Sequence, residues 1–182
     1  MTAPGAGGKT WIVPVVSLLR APGSRRREVR SGRVGELSVA GSTVPAGAEA
    51  SVDAVLAAIE GGIEVAGLVT APWRGECRRC LRPVAGELRC ELRELYRARA
   101  HGESPESDEE TYPLHGDHLD LAPLLRDALI LELPVAPLCG AGCRGLCPSC
   151  GADLNDGRCT CPAPSGDPRW AGLEGLRSEP PR

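Results

Sequence analysis

Nine cysteines, at positions 77, 80, 90, 139, 143, 147, 150, 159 and 161, are the side chains of this 182-residue sequence best equipped for chemistry. Thiolates are soft metal ligands, and two of them separated by two residues converge on one ion. Cys147-Pro-Ser-Cys150-Gly151 has that spacing, and its glycine permits the tight backbone beyond a zinc knuckle. A closed zinc site takes four ligands, so this pair needs another. Cys159 and Cys161 follow the loop 152–158, which is long enough to fold back. Cys147, Cys150, Cys159 and Cys161 are therefore the first expected site. Cys77 and Cys80 with Cys139 and Cys143 form a second, assembled from pairs distant in sequence. Cys90 is left over and lies on the apolar face of an expected strand, where a free thiol behaves as a small hydrophobe.

A contiguous partition competes with this one. Cys139, Cys143, Cys147 and Cys150 can hold one ion alone, leaving Cys77, Cys80, Cys159 and Cys161 for other duties. The expected cofactor is structural Zn2+, one or two ions. An iron–sulfur cluster is the other use of such thiolates, but compact paired knuckles favour zinc. A thiol redox pair at Cys77 and Cys80 fits less well, because that motif opens a helix, whereas Arg78 and Arg79 lead into a strand.

The remaining residues argue against catalysis. His101, His115 and His118 fall in or at the end of an acidic stretch and read as exposed loop residues. There is no glycine-rich phosphate loop, nucleophile elbow or informatively spaced carboxylate pair. No catalytic residue is assigned, and a small-molecule substrate is not expected.

The elements that must position the cysteines follow from periodicity. Residues 1–10 read as a flexible tail and Trp11–Leu19 as a first strand. The basic run Arg25, Arg26, Arg27, Arg30 and Arg33 reads as a solvated loop. Val52–Ile59 is ambiguous between strand and helix. Ile63, Val65, Gly67 and Val69 alternate with Glu64, Ala66, Leu68 and Thr70, the period of a strand. Val84, Gly86, Leu88, Cys90, Leu92 and Tyr96 then line one face of another strand, opposite Glu87, Arg89, Glu91, Arg93 and Arg97. These two strands place Cys77 and Cys80 at a hairpin tip. Residues 101–118 form an acidic excursion. Asp120 is a helix N-cap, with Leu119 before it poised to staple against Leu124. Leu121, Leu124, Leu125, Ala128 and Leu129 form that helix's apolar face, and Pro134 stops it. A last short helix begins at Asp167-Pro168.

The expectation is an α+β fold: an antiparallel, barrel-like sheet from residues 11–100, one packed helix over 120–132, and a C-terminal zinc-binding segment. Residues 11–134 make the core and 135–182 the cysteine-rich segment with its terminal helix. The core must be aliphatic, since the chain has no Phe, three Trp and two Tyr.

Charge is uneven. Residues 1–100 carry 15 Lys or Arg against 10 Asp or Glu, and residues 101–182 carry 6 against 14. One basic face is compatible with nucleic acid; the whole chain, at net charge −3, is not a general nucleic-acid binder. Pro14 and Arg20 spoil the N-terminal apolar run as a secretion signal, and no segment has the ~20 apolar residues of a membrane span. A cytoplasmic location follows as the expectation, and reduced cytoplasmic thiols call for metal before disulfides.

Several motifs in order resemble one family. Cys77-Arg-Arg-Cys80-Leu81 with its following strand is the first, and Leu119-Asp-Leu-Ala-Pro-Leu-Leu-Arg-Asp-Ala-Leu-Ile-Leu-Glu-Leu-Pro134 the second. Pro137-Leu138-Cys139, Cys143-Arg-Gly-Leu-Cys147-Pro-Ser-Cys150-Gly151-Ala-Asp-Leu-Asn155 and Asp167-Pro168-Arg169 complete the series. Across roughly residues 60–176 the chain is similar to the YceD-like large ribosomal RNA subunit accumulation proteins, in a cysteine-rich form like that of many Gram-positive and actinobacterial members. The resemblance implies a non-enzymatic bacterial factor supporting accumulation, processing or assembly of large-subunit (23S) ribosomal RNA. Its partners would be ribosomal RNA, or ribosomal or assembly proteins. Arg74, Arg78, Arg79 and Arg82 around the first knuckle, with Arg25, Arg26 and Arg27, are the expected RNA-facing surface, held rigidly by the metal. The alternatives are a zinc-dependent protein adaptor that never touches RNA, and a thiol-based redox or metal sensor.

Overall fold

A computed structural model describes residues 10–98, 111–157, 159–162 and 169. Alternating burial generates the central strands. In β5 (Glu49–Ile59), Ala50, Val52, Ala54, Leu56 and Ala58 are buried. They face the same interior as Ile63, Val65, Val69 and Ala71 of β6 (Gly62–Glu76) and Leu88, Cys90, Leu92 and Tyr96 of β7 (Pro83–Ala98). The ambiguous stretch Val52–Ile59 is thus strand throughout. β6 and β7 pair antiparallel from Gly62↔Arg97 to Glu76↔Pro83, so the hairpin carries Cys77–Arg82 at its tip.

The sheet is larger than expected, and mixed. The presumed loop Arg25–Arg33 is a strand, β2, antiparallel to β5. Its inward positions are Arg26, Glu28, Arg30 and Gly32, all half-buried, so the strand has no apolar period to reveal it. The expected first strand Trp11–Leu19 divides into β1 (Ile12–Pro14) and a four-residue helix, α1 (Val16–Leu19). β3 (Leu37–Val39) and β4 (Ser42–Val44) form a hairpin, and β4 pairs with β6.

The end of the acidic stretch also folds: Tyr112–His115 is β8 and His118–Asp120 is β9. β8 runs parallel to β7, which corrects the all-antiparallel expectation. Parallel neighbours need a crossover of about a dozen residues or more, and residues 99–111 supply that length. Tyr96 and Tyr112 stack across this pair at 5.4 Å between ring centroids. β9 continues the sheet to β1.

β2 and β1, which end the two sides of the sheet, approach each other through side chains. The Arg26 guanidinium donates to the Pro14 carbonyl (2.7 Å), the Arg30 guanidinium to the Thr10 carbonyl (2.9 Å), and Trp11 Nε1 to the Arg33 carbonyl (3.3 Å). The sheet is therefore curled into a half-barrel. Within the curve lies α2 (Leu121–Glu132), with Leu121, Leu124, Leu125 and Leu129 buried against the strands. Asp120 caps it as expected, its Oδ1 accepting from the Ala122 N–H at 2.9 Å. Leu119 and Leu124 are both buried, and the Tyr96 hydroxyl donates to the Asp120 carbonyl. The proposed tail, the acidic segment through residue 110 and the helix from Asp167 lie outside the described residues, apart from Thr10 and Arg169.

Candidate metal centre

Hydrogen bonds fix the first knuckle to the end of the β6–β7 hairpin. The Cys77 N–H donates to the Arg82 carbonyl (2.8 Å), and the Leu81 N–H returns to the Cys77 carbonyl (2.9 Å). Leu81 is thereby held at φ 61°, in the left-handed region. The chain leaving α2 comes back beside this tip. The buried Ser42 hydroxyl donates to the Pro134 carbonyl at 2.6 Å, and the Arg78 N–H donates to the Pro137 carbonyl at 2.8 Å. Those anchors deliver Cys139 and Cys143 to Cys77 and Cys80.

The second knuckle repeats the turn. Gly151 N–H donates to the Cys147 carbonyl (2.9 Å) with Gly151 at φ 74°, and Cys147 N–H donates to the Ala152 carbonyl (2.8 Å).

Two tetrads result. Within each of Cys77, Cys80, Cys139, Cys143 and Cys147, Cys150, Cys159, Cys161, all four sulfurs lie within 4.8 Å of one another. Cys77 and Cys143 sulfurs are 3.7 Å apart, and those of Cys80 and Cys139 3.6 Å. A disulfide needs about 2.05 Å. A tetrahedral ion with metal–sulfur bonds of about 2.3 Å sets its ligands about 3.8 Å apart. The donor set and spacing therefore fit tetrathiolate metal sites. The contiguous partition through Cys139, Cys143, Cys147 and Cys150 does not form; the sulfurs divide between two groups.

Electrostatics point the same way. Burial opposes ionisation of Cys77, but N–H groups of Cys139, Cys80 and Arg79 aimed at its sulfur bring it down to about 6. N–H groups of Cys150 and Ser149 and the Cys159 side chain bring Cys147 down to about 6. Their neighbours are forced the other way: Cys139 is pushed up to about 12 by Cys143 and Cys80, and Cys161 to about 12 by Cys150 with its burial. In each tetrad a thiol brought down stands beside one pushed up, a crowding of negative charge that a divalent cation relieves.

Cys90 is 5% exposed in the sheet interior, and burial pushes its thiol up to about 11, as befits a core residue. His115 and His118 are exposed on the β8–β9 hairpin, and among the described residues only the cysteine tetrads gather as metal-binding groups.

The arginines divide. Arg82 pairs through Nε with Asp153 (2.8 Å) and through Nη2 with Asp156, and Arg79 Nη1 donates to the Cys143 carbonyl (2.9 Å). Arg27 is bidentate on Asp53, and Arg26 pairs with Glu28. Arg25, Arg74 and Arg78 are exposed and make no ion pair with the described residues. Sequence reasoning named Asn155 only as the end of a motif and gave no role to it or to the acidic pair Asp153 and Asp156, which join the two knuckles.

A family model described as "Large ribosomal RNA subunit accumulation protein YceD" matches residues 65–177, from inside β6 through both tetrads. The chain belongs to the YceD family. An uncharacterized protein of Mycobacterium tuberculosis is 39% identical over 134 residues, covering 70% of this chain and 61% of the relative. One of Mycobacterium leprae is 37% identical over 110 residues, covering 59% of this chain and 50% of the relative. The chain thus spans less than two thirds of the length of these mycobacterial relatives. A protein of Arabidopsis thaliana named "Large ribosomal RNA subunit accumulation protein YCED homolog 1, chloroplastic" is 31% identical over 72 residues, covering 40% of this chain and 22% of the relative. No solved structure matches the chain.

Proposed function

We infer that this YceD-family chain is a non-enzymatic bacterial factor supporting accumulation, processing or assembly of large-subunit ribosomal RNA, with Zn2+ bound structurally at both tetrads. The family match across both cysteine groups carries the reading. Each tetrad offers four sulfurs, which would leave a bound ion no open position for a reacting water and suits scaffolding. Of the eight sulfurs, those of Cys77, Cys80, Cys139 and Cys143 would hold one ion, and the rest the other. The ions would supply positive charge against crowded thiolates; the chain's own N–H groups orient the sulfurs. No helix among the described residues is long and apolar enough to cross a membrane; it is the ribosomal role of the family that leads us to place the protein in the cytoplasm.

RNA contact would fall to Arg74 and Arg78 at the hairpin end and to Arg25 on β2, the members of the basic set that are exposed and make no ion pair with the described residues. A large-subunit RNA transcript should bind with a salt slope of about two to three for three neutralised phosphates. Replacing Arg74 and Arg78 by Ala should flatten it. The internal use of Arg79 and Arg82 favours a second reading, a protein adaptor within ribosome biogenesis, and binding insensitive to salt and to both replacements would select it. In the host, depletion should lower large- relative to small-subunit RNA. A gene carrying Cys77→Ser and Cys80→Ser should fail to restore the ratio. An unchanged ratio on depletion would refute the ribosomal role.

A further inference from the structure

Between the two tetrads lies a joint built by the loop 152–157. Its Asn155 side chain is fully used. Oδ1 accepts from the Arg144 N–H at 2.8 Å, and Nδ2 donates to Asp153 Oδ1 at 2.7 Å and to the Cys143 sulfur at 3.5 Å. These partners fix which way the amide points, because a flipped amide would set its oxygen against a carboxylate and a sulfur. The loop also bonds through the Leu154 N–H to the Gly145 carbonyl (2.9 Å) and through Asp153 and Asp156 to Arg82. Asn155 belongs in sequence to the second tetrad, between Cys150 and Cys159, yet its donor faces a sulfur of the first.

The far end of that loop has little else to hold it. Among the described residues no backbone hydrogen bond ties residues 159–162 to the fold; Cys159 and Cys161 meet it through their sulfurs. An ion at the second tetrad would therefore close the loop, and closing the loop seats Asn155 on Cys143.

We propose that Asn155 is a positioning residue for the first metal site, delivered by the second, so that loading of the Cys147 tetrad tightens metal binding at the Cys77 tetrad. This rests on the reading of both tetrads as metal sites. An N–H donated to a ligating thiolate disperses its charge and orients its lone pairs, and loss of such outer partners typically weakens metal binding about 10- to 100-fold. Coupling is reciprocal: a filled first site holds Cys143 ready for Asn155 and so favours the second ion.

Chelator competition followed by native mass spectrometry on the full chain, with Co2+ spectra reporting thiolate coordination, tests this. Cys159→Ser with Cys161→Ser removes the second site and identifies the remaining constant as the first. Asn155→Asp keeps the size and the acceptor for Arg144 but loses the donor. Each change should weaken the first site about 10-fold or more, and combining them should add little, because Asn155 acts only when its own loop is closed. Asn155→Asp should leave the tetrahedral Co2+ spectrum of the second site unchanged. First-site affinity unmoved by either change, or losses that multiply when combined, would overturn the proposal while leaving two metal sites standing. A wild-type chain that binds neither ion would overturn the metal reading itself, and this inference with it.

Discussion

Leu81 and Gly151 occupy the same place in two equivalent turns, each with its N–H on the carbonyl of the first cysteine and its φ positive. A β-carbon in that region costs about 1 kcal/mol, which the first knuckle tolerates and the second avoids. Gly151 has open space where a Cβ would go, whereas a Cβ on Gly145, at similar φ, would come within 2.9 Å of the Arg79 carbonyl oxygen. Gly151→Ala should therefore cost about 1 kcal/mol and Gly145→Ala about 3 kcal/mol. Urea unfolding of the metal-loaded protein measures both, and equal losses would mean that the contact between modules is not tight. The cysteine pairs were legible at this scale because ligand spacing is a local property, whereas their grouping into tetrads, against a competing contiguous partition, is set by the fold. The placing of Cys90 followed from strand alternation. Asn155 was not legible, since its partner lies 12 residues away and is met only through the fold. Nor was the internal use of Arg79 and Arg82, whose acceptors on Cys143, Asp153 and Asp156 are far away in sequence.

Among the elements, α2 was readable because its signals agree: a capping Asp, an apolar stripe and a terminating Pro. Asp120→Ala should lower stability by about 1 kcal/mol, while Asp120→Asn keeps most of the cap. A shifted urea midpoint at unchanged slope is the expected form of the loss; no shift would show that burial of the leucine face alone starts the helix. β6 and β7 were equally visible, since half-buried strands alternate, whereas β5 was ambiguous because Leu56, Ala57 and Ala58 are buried in succession and break the alternation. β2 was hidden for a physical reason. Its inward side chains are Arg26, Glu28 and Arg30, which pair with one another and donate to the chain at Thr10–Pro14 instead of filling a core. β8 and β9 are only 4 and 3 residues long and follow an acidic stretch, so composition outweighed their short apolar pattern.

For the whole molecule, a half-barrel around one helix buries a core that has no Phe to draw on. Pattern alone predicted a curled sheet but not its parallel β7–β8 pair, because strand order depends on where the crossover of 99–111 returns. Among the described residues after Pro134, few apolar groups are buried beyond Cys143 and Cys147. That segment depends on its sulfurs for cohesion, and metal binding there would contribute to folding directly. The most direct test is native mass spectrometry of protein purified without added metal, combined with thiol alkylation near pH 8. The account predicts two zinc ions per chain, all eight tetrad cysteines protected, and Cys90 unreactive until the chain unfolds; chelation should expose the eight and loosen residues 135–162 first. A metal-free chain that is fully folded, with tetrad cysteines alkylated at the rate of free thiols and no response to chelator, would contradict it.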